Sequence, residues 1–421
     1  MLCVQTTTMN ADIEFRNICR LCNSPDLKAE VTLPNVEVAD RYHTNPNTSP
    51  VKYPIDLYRC NSCGHVQILS LVPLDILFAS DYTYKPSNNR LLIEHFDKYA
   101  KSLARYCEGS ISKSLDIGCN DGLFLEMIKR HSNARVIGID PSEGPLREAH
   151  KKNIETIQDF FNSKTADSIK EEYGQFDHIS ANNVFAHNDD LRGFALGVSK
   201  LLRRGGLFTF EISYLVDIVE KTMIGTIFHE HLSHHALTPL ISFLKEFDLH
   251  LVHANRVDTQ GGALIGYALK GVDKKRSDDL LELLSDEDKK GVVNASYMEF
   301  FRKNIITIKS EFQRNLNALS NKGYEFIGFG AARSANLLVE FFQLREYLDL
   351  VFDDNEAKIG KYLSNSDIKI KKTDFSMISE NTVIIPLAWI HTSMIVDKLS
   401  NNSIKCKVLT LYPRVDIVDC N

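Results

Sequence analysis

Apolar and polar positions follow three regimes along the chain. Over the first 80 residues the apolar runs are short; residues 1–16 are mostly polar and read as a lead-in, and residues 53–58 read as a strand. In 91–106 apolar residues recur at helical spacing (Leu91, Leu92, Phe96, Tyr99, Leu103) and predict a helix. From 113 to about 262 short apolar runs alternate with helical stretches. Strands are predicted over 114–117, 135–140, 154–157, 176–183 and 207–212, helices over 145–152 and 191–202, and a turn at 203–206. Residues 257–267 read as a turn feeding a last strand. This alternation predicts a doubly wound α/β sheet. Residues 273–288 are charged and read as a linker or solvated helix, and 298–320 as a long connecting helix. A second α/β unit starts near 324, with strand-like runs at 326–329, 350–354 and 382–386. The expected division is 1–80, 81–290 and 291–421.

The most informative stretch is Ser114 to Leu125, a strand, a tight turn and a helix start. Gly118 and Gly122 let the backbone turn sharply and approach a ligand. Asp116 stands at the carboxyl end of the strand, where open α/β sheets bind ligands. Asp140, at the tip of the next strand and eighteen residues past Gly122, can accept ribose hydroxyls. The glycine spacing is not that of a dinucleotide fold, and a carboxylate in the turn would repel a pyrophosphate. A cationic ligand, S-adenosylmethionine, suits it better. Asp159 and Phe160 are candidates for the adenine amino group and face, with a helix cap beside a core aromatic as the alternative. In the second unit, the turn at Gly328–Ala332 has no such carboxylate, and Arg333 could meet a phosphate or the turn could be structural.

Bulk properties exclude several classes. The 421 residues are 43% hydrophobic and 25% charged, with net charge −6, so nothing favours nucleic acid or an anionic membrane. No apolar run is long enough to span a bilayer, and no signal peptide is recognisable. The expected location is the cytoplasm. Nine cysteines in so long a chain do not make a disulfide scaffold. Cys19-x-x-Cys22 and Cys60-x-x-Cys63 instead predict one structural zinc ion, with four sulfur ligands and no open position.

Thr226 to His235 holds four histidines and a glutamate in seven residues. The zinc-protease pattern is absent because Ser233 stands where its second histidine belongs. A solvated loop or a separate metal site are alternatives; the favoured reading is a general base, a histidine oriented by the adjacent carboxylate. His187, just past a strand's carboxyl end, has a functional address.

Together these pieces resemble the sugar C-methyltransferases, over about 19–413. The resemblance implies an N-terminal zinc-binding module, a central Rossmann-like class I S-adenosylmethionine methyltransferase domain and a C-terminal Rossmann-like α/β domain that would bind a nucleotide sugar. It implies zinc on Cys19, Cys22, Cys60 and Cys63. The methyl donor would be held by Asp116, Gly118, Asn120, Gly122, Asp140, Asp159, Phe160 and Asn182, with Glu211 near it. His231 would be the base beside Glu230, and His187 and Tyr82 further catalytic groups. The implied reaction is methylation at C3′ of a dTDP- or GDP-linked 4-keto-deoxyhexose by a monomeric enzyme. Two departures stand out: Phe228 replaces a tyrosine found in some members, and Gln260 a common histidine. An O- or N-methyltransferase, an inactive zinc-bearing binding protein and an NAD enzyme built on the Gly328–Ala332 turn are the rival readings.

Overall fold

The strand carrying Asp116 lies inside a seven-stranded sheet. In the computed structural model, which describes residues 13–46, 48–77, 86–107, 109–364 and 366–420, its strands run Leu249–Val257, Ala263–Lys270, Leu202–Ser213, Phe176–Asn182, Lys113–Ile117, Arg135–Ile139 and Glu155–Ile157. All neighbours pair in parallel except Ala263–Lys270, which is antiparallel to both of its partners. Parallel strands covered on both faces need near-continuous apolar runs, and Leu115, Ile117, Ile137, Ile139, Ile179 and Ala181 are all buried. His178 is tolerated there because Ser114 Oγ (2.8 Å) and Thr209 Oγ1 (2.9 Å) take its two ring nitrogens. Chain order reverses between Lys113–Ile117 and Phe176–Asn182, which opens a crevice at their carboxyl ends.

Sequence and structure part in several places. Residues 203–206 are not a turn but part of the strand Leu202–Ser213, whose register jumps between Leu202 and Leu207; Gly205, at φ +74°, helps absorb the bulge. The helix Leu237–Glu246 and the strand Leu249–Val257 escape the sequence reading. Residues 273–288 follow the solvated-helix reading rather than the linker: the helix Asp278–Lys290 starts there, capped by the Ser277 side chain, and it buries Leu280 and Glu287. That carboxylate accepts from Tyr214 Oη (2.8 Å), Leu237 N (2.6 Å) and Thr238 N (2.8 Å). In the helix Arg90–Ser102, Leu92, Phe96 and Tyr99 face inward, but Leu91 is exposed.

A second, six-stranded sheet runs Lys369–Lys371, Leu348–Phe352, Glu325–Phe329, Thr382–Pro386, Cys406–Thr410 and Asp416–Cys420, parallel but for the last. Its switch point lies between Glu325–Phe329 and Thr382–Pro386. The helix Ala295–Ser320 leads to it and packs on Leu27–Val31 and on the helix Leu215–Glu220.

The N-terminal sheet pairs Leu27–Val31, Leu57–Cys60 and Val66–Ile68 antiparallel, and its fourth strand is Ser233–His234. The histidine-rich segment is therefore built into the cysteine-bearing module. His229, Glu230, His234 and His235 are all buried, which rules out a solvated loop.

Candidate active site

Both switch points open onto one cavity of about 1220 Å³. The central sheet contributes Asp116, Gly118, Asn120, Asp140 and Asn182 to its wall. The C-terminal sheet contributes 332–334 and 388–391, and the N-terminal module Asp40 and Tyr53.

On the central side the turn after Asp116 admits no side chain. Gly118 has φ +70°, and a Cβ there would lie 2.2 Å from Val184 Cγ2. Asp116 is buried and accepts from Ser180 Oγ (2.7 Å); burial pushes its carboxyl up to about 7. Asp140 accepts from Asn120 N (3.0 Å) and Ser142 N (2.8 Å), which fixes it across the mouth of the turn; burial raises its pKa too. Neither carboxyl has a cationic side-chain partner among the described residues, so a cationic ligand would hold both ionised. Asn182 lines the same wall with both amide atoms buried and unbonded among the described residues, and a buried amide calls for a ligand to complete it. Phe160, 39% exposed, and the exposed Asp159 stand at the rim; Asp159 Oδ1 accepts from Phe160 N (2.7 Å). These groups fit the sulfonium, ammonium and adenosine of S-adenosylmethionine.

Two expected donor-site residues are placed otherwise. Gly122 is absent from the cavity wall. It caps the helix Leu123–His131 at φ +74°, and a Cβ would strike Ile154 Cδ1 at 2.5 Å, so its smallness serves packing. Glu211 is fully buried beneath the cavity, bonded to His95 Nε2 and Thr259 Oγ1, each at 2.6 Å.

Two imidazoles also line the cavity. His187 and His231 stack with centroids 5.1 Å apart and planes at 24°, and Phe228 packs on His231 at 3.9 Å. His231 Nδ1 donates to the Thr226 carbonyl (2.6 Å). A carbonyl can only accept, so Nδ1 carries the proton and Nε2 of the neutral ring is the basic atom. Burial and nearby Arg333 lower the His231 pKa to about 4. His187 is held well below its ordinary value by burial and by His231; its Nε2 is buried without a partner among the described residues.

The expected pairing of Glu230 with His231 is corrected here. Glu230 bonds to Arg333 Nη1 of the C-terminal sheet instead, and Arg333 Nε lies 3.0 Å from Asp40. The carboxylate points to another unit because the long-range guanidinium offers it a charged partner, while Thr226 already holds the ring. Arg333 is thus paired with two carboxylates at the cavity wall, with Lys358 alongside. Thr226, Asp40 and Lys358 were missed by sequence reasoning, since a backbone acceptor and partners from distant segments leave no local motif. Tyr82 lies outside the described residues.

Away from the cavity, the sulfurs of Cys19, Cys22, Cys60 and Cys63 all lie within 4.8 Å of one another. Cys19–Cys63 and Cys22–Cys60 are 3.7 and 3.6 Å apart, close to the roughly 3.8 Å edge of a tetrahedral zinc–sulfur site. Among the described residues no other cluster of metal-ligating groups meets this spacing, so the histidine-rich segment does not supply a second one. No helix of the described residues is long and apolar enough to cross a membrane.

Comparison with known proteins matches three family models in succession: "Putative zinc binding domain" over 19–78, "Methyltransferase domain" over 115–208 and "C-methyltransferase C-terminal domain" over 258–407. The C-methyltransferase NovU of Streptomyces niveus is 25% identical over 90% of this chain and 91% of its own. A ubiquinone biosynthesis O-methyltransferase of Rhizobium johnstonii is 36% identical over 31% of this chain and 49% of its own. Among solved structures, the N-methyltransferase NodS of Bradyrhizobium japonicum aligns with TM-score 0.35 and 18% identity, over 46% of this chain and 95% of that one. From end to end, then, the chain is similar to S-adenosylmethionine-dependent C-methyltransferases that carry an N-terminal zinc-binding domain.

Proposed function

We propose that the protein methylates C3′ of a nucleotide-linked 4-keto-deoxyhexose, in branched-sugar biosynthesis. The observation that carries this reading is the neutral imidazole of His231, its Nδ1 held by the Thr226 carbonyl and its Nε2 left as the proton acceptor, on a cavity shared by a donor-type crevice and a second Rossmann-like sheet. Carbon becomes nucleophilic only when a neighbouring carbonyl can take up charge, and a 4-keto sugar provides one. His231 Nε2, neutral at pH 7 and held by Thr226, removes the C3′ proton. His187 or Tyr82 donates to the oxygen at C4′ as charge collects there. S-adenosylmethionine supplies the electrophilic methyl carbon, with Asp116, Gly118, Asn120, Asp140, Asn182, Asp159 and Phe160 holding it. Glu230 serves the reaction by fixing Arg333 at the C-terminal wall, where the diphosphate of a dTDP or GDP carrier would take over from Asp40 as the partner of Arg333 and Lys358. Phe228 shields the base from water without offering a hydroxyl.

The four cysteines hold zinc for structure alone, since no ligand position stays open. The units act as 1–80, 81–290 and 291–421, in a cytoplasmic monomer. The test is incubation with labelled methyl donor and a panel of dTDP- and GDP-linked 4-keto-hexoses, with the methylated carbon located by NMR. Label on oxygen or nitrogen, or no transfer to any member, rejects the reading. Deuterium washout from C3′ in heavy water, abolished by His231→Ala, tests the base separately.

A further inference from the structure

Between the first two metal-binding cysteines stands an arginine sealed from solvent. Arg20 is 0% exposed. Its Nη1 donates to Gln67 Oε1 (3.1 Å), to the Ile68 carbonyl (2.6 Å) and to the Leu232 carbonyl (3.4 Å). Its Nε donates to Asp189 Oδ1 (3.1 Å), and Nη2 lies 2.9 Å from the same oxygen. Arg16 holds the other side of Asp189, through Oδ2 (2.9 Å) and the backbone carbonyl (3.2 Å).

The two segments gripped by Arg20 are the ones that carry the stacked imidazoles. Asp189 follows His187 by two residues, and Leu232 follows His231 by one. The seam is continuous, because Ile68 N donates to the Leu232 carbonyl (3.0 Å) and Ser233–His234 pairs with Val66–Gln67. Only a planar fork with several fixed donors can serve the carboxylate and the carbonyls at once; an ammonium is a point charge. The backbone of Arg20 is held to the same sheet, its N donating to Gln67 Oε1 (3.2 Å), between two of the four clustered sulfurs, those of Cys19 and Cys22.

We infer that Arg20 is a positioning residue: the zinc-binding turn, through this guanidinium, sets the loops that hold His187 and His231 face to face. The metal module then shapes the base's surroundings although it offers no reactive position. The inference rests on the reading of these histidines as the groups at the reacting atoms.

The test uses the full chain with zinc bound and two variants, Arg20→Lys and Asp189→Asn. Zinc content, S-adenosylmethionine affinity by calorimetry and ¹⁵N-histidine NMR are read for each, with His187 and His231 signals assigned from H187A and H231A. Expected are one zinc per chain, donor affinity within about twofold, shifted signals for both imidazoles, and kcat lowered about 100-fold with donor KM unchanged, the usual scale for misplacing a reacting group by an ångström. The double variant should cost no more than the worse single one. Imidazole signals that coincide with wild type in both variants overturn the inference, as do losses that multiply in the double variant. Should Arg20→Lys shed zinc, Asp189→Asn decides alone, since it leaves the cysteine turn intact. A fully active H231A overturns the parent reading instead, whatever the two variants show.

Discussion

His187 and His231 lie 44 residues apart in sequence and 5.1 Å apart between ring centroids. Burial, with the Arg333 guanidinium nearby, lowers His231 to about 4, and burial together with His231 holds His187 well below its ordinary value. A base works above its own pKa. The acid limb of kcat/KM is therefore expected below pH 5 rather than near the 6.5 of an ordinary histidine. His231→Ala should lower kcat by about 10²–10⁴-fold and leave donor affinity unchanged. A pH–rate profile with its acid limb at 6.5 rejects the assignment.

The same burial makes the fold acid-sensitive. His178, His229, His231, His234 and His235 are all depressed, to between about 3 and 4. Unfolded, each titrates near 6.5. Above that pH both states are neutral and nothing is lost. Below it the unfolded chain binds protons the native one refuses, and stability falls until the native values are reached. Each ring contributes up to about 1.4 kcal/mol per pH unit in that window. The denaturation midpoint should be level from pH 8 to 7 and drop steeply from 6.5 to 4.5. His235 stacks on Phe185 (5.2 Å, 14°) and has no hydrogen-bond partner among the described residues, so His235→Phe should remove about one proton from the slope.

What could be read from the sequence was what is local in it. The cysteine pairs, the Asp116 turn and the Arg90–Ser102 helix each rest on spacings of a few residues. The site's cross-connections do not. Glu230 finds Arg333 at a separation of 103 residues, and Ser233 pairs with Gln67 across a sheet edge. A glutamate beside a histidine in the chain suggests they face each other, but here both sit at a tight turn closed by His231 N on the Phe228 carbonyl, and the two side chains find separate partners, Arg333 and the Thr226 carbonyl. Gly122 turns the chain at φ +74° as its place in the motif suggests, while its packing against Ile154 leaves no trace in sequence, where a glycine forced by packing looks like one cleared for a ligand.

Glu230 is 3% exposed and paired with Arg333. Burial raises its pKa and Arg333 opposes that rise. Arg333→Ala leaves a buried carboxylate facing only the repulsion of Asp40, at a cost of about 3 kcal/mol. Replacing Glu230 with Gln in that background removes the stranded charge and should restore more than half of it. A double-mutant cycle in urea measures the coupling; independent, additive losses mean the pair does not join the units.

The four thiolates tie the ends of the N-terminal sheet, whose fourth strand comes from residues 233–234. Cys60→Ser, or chelation of the wild type, should therefore release zinc and loosen that edge as well as the module, for a loss of several kcal/mol. Hydrogen exchange is the sensitive readout. The amide of Ile68, bonded to the Leu232 carbonyl, should lose protection when metal leaves, while Ile137 in the central sheet should keep it. Unchanged protection at Ile68 means the strand stands without the metal.

Asn182 offers the cavity an amide that no protein group among the described residues takes up. Its amide oxygen and nitrogen are both buried at the cavity wall without a partner among the described residues, and each such group costs about 1–3 kcal/mol. A ligand in the cavity would give both atoms partners, so part of the donor's affinity would come from this amide. Asn182→Leu removes both polar atoms while nearly keeping the volume. The expected outcome has opposite signs in two measurements: the ligand-free protein becomes about 1 kcal/mol more stable, and S-adenosylmethionine binds about tenfold more weakly by calorimetry. An ordinary structural asparagine would lose stability on the same change and leave donor affinity alone, so the two signs together decide whether this amide belongs to the donor.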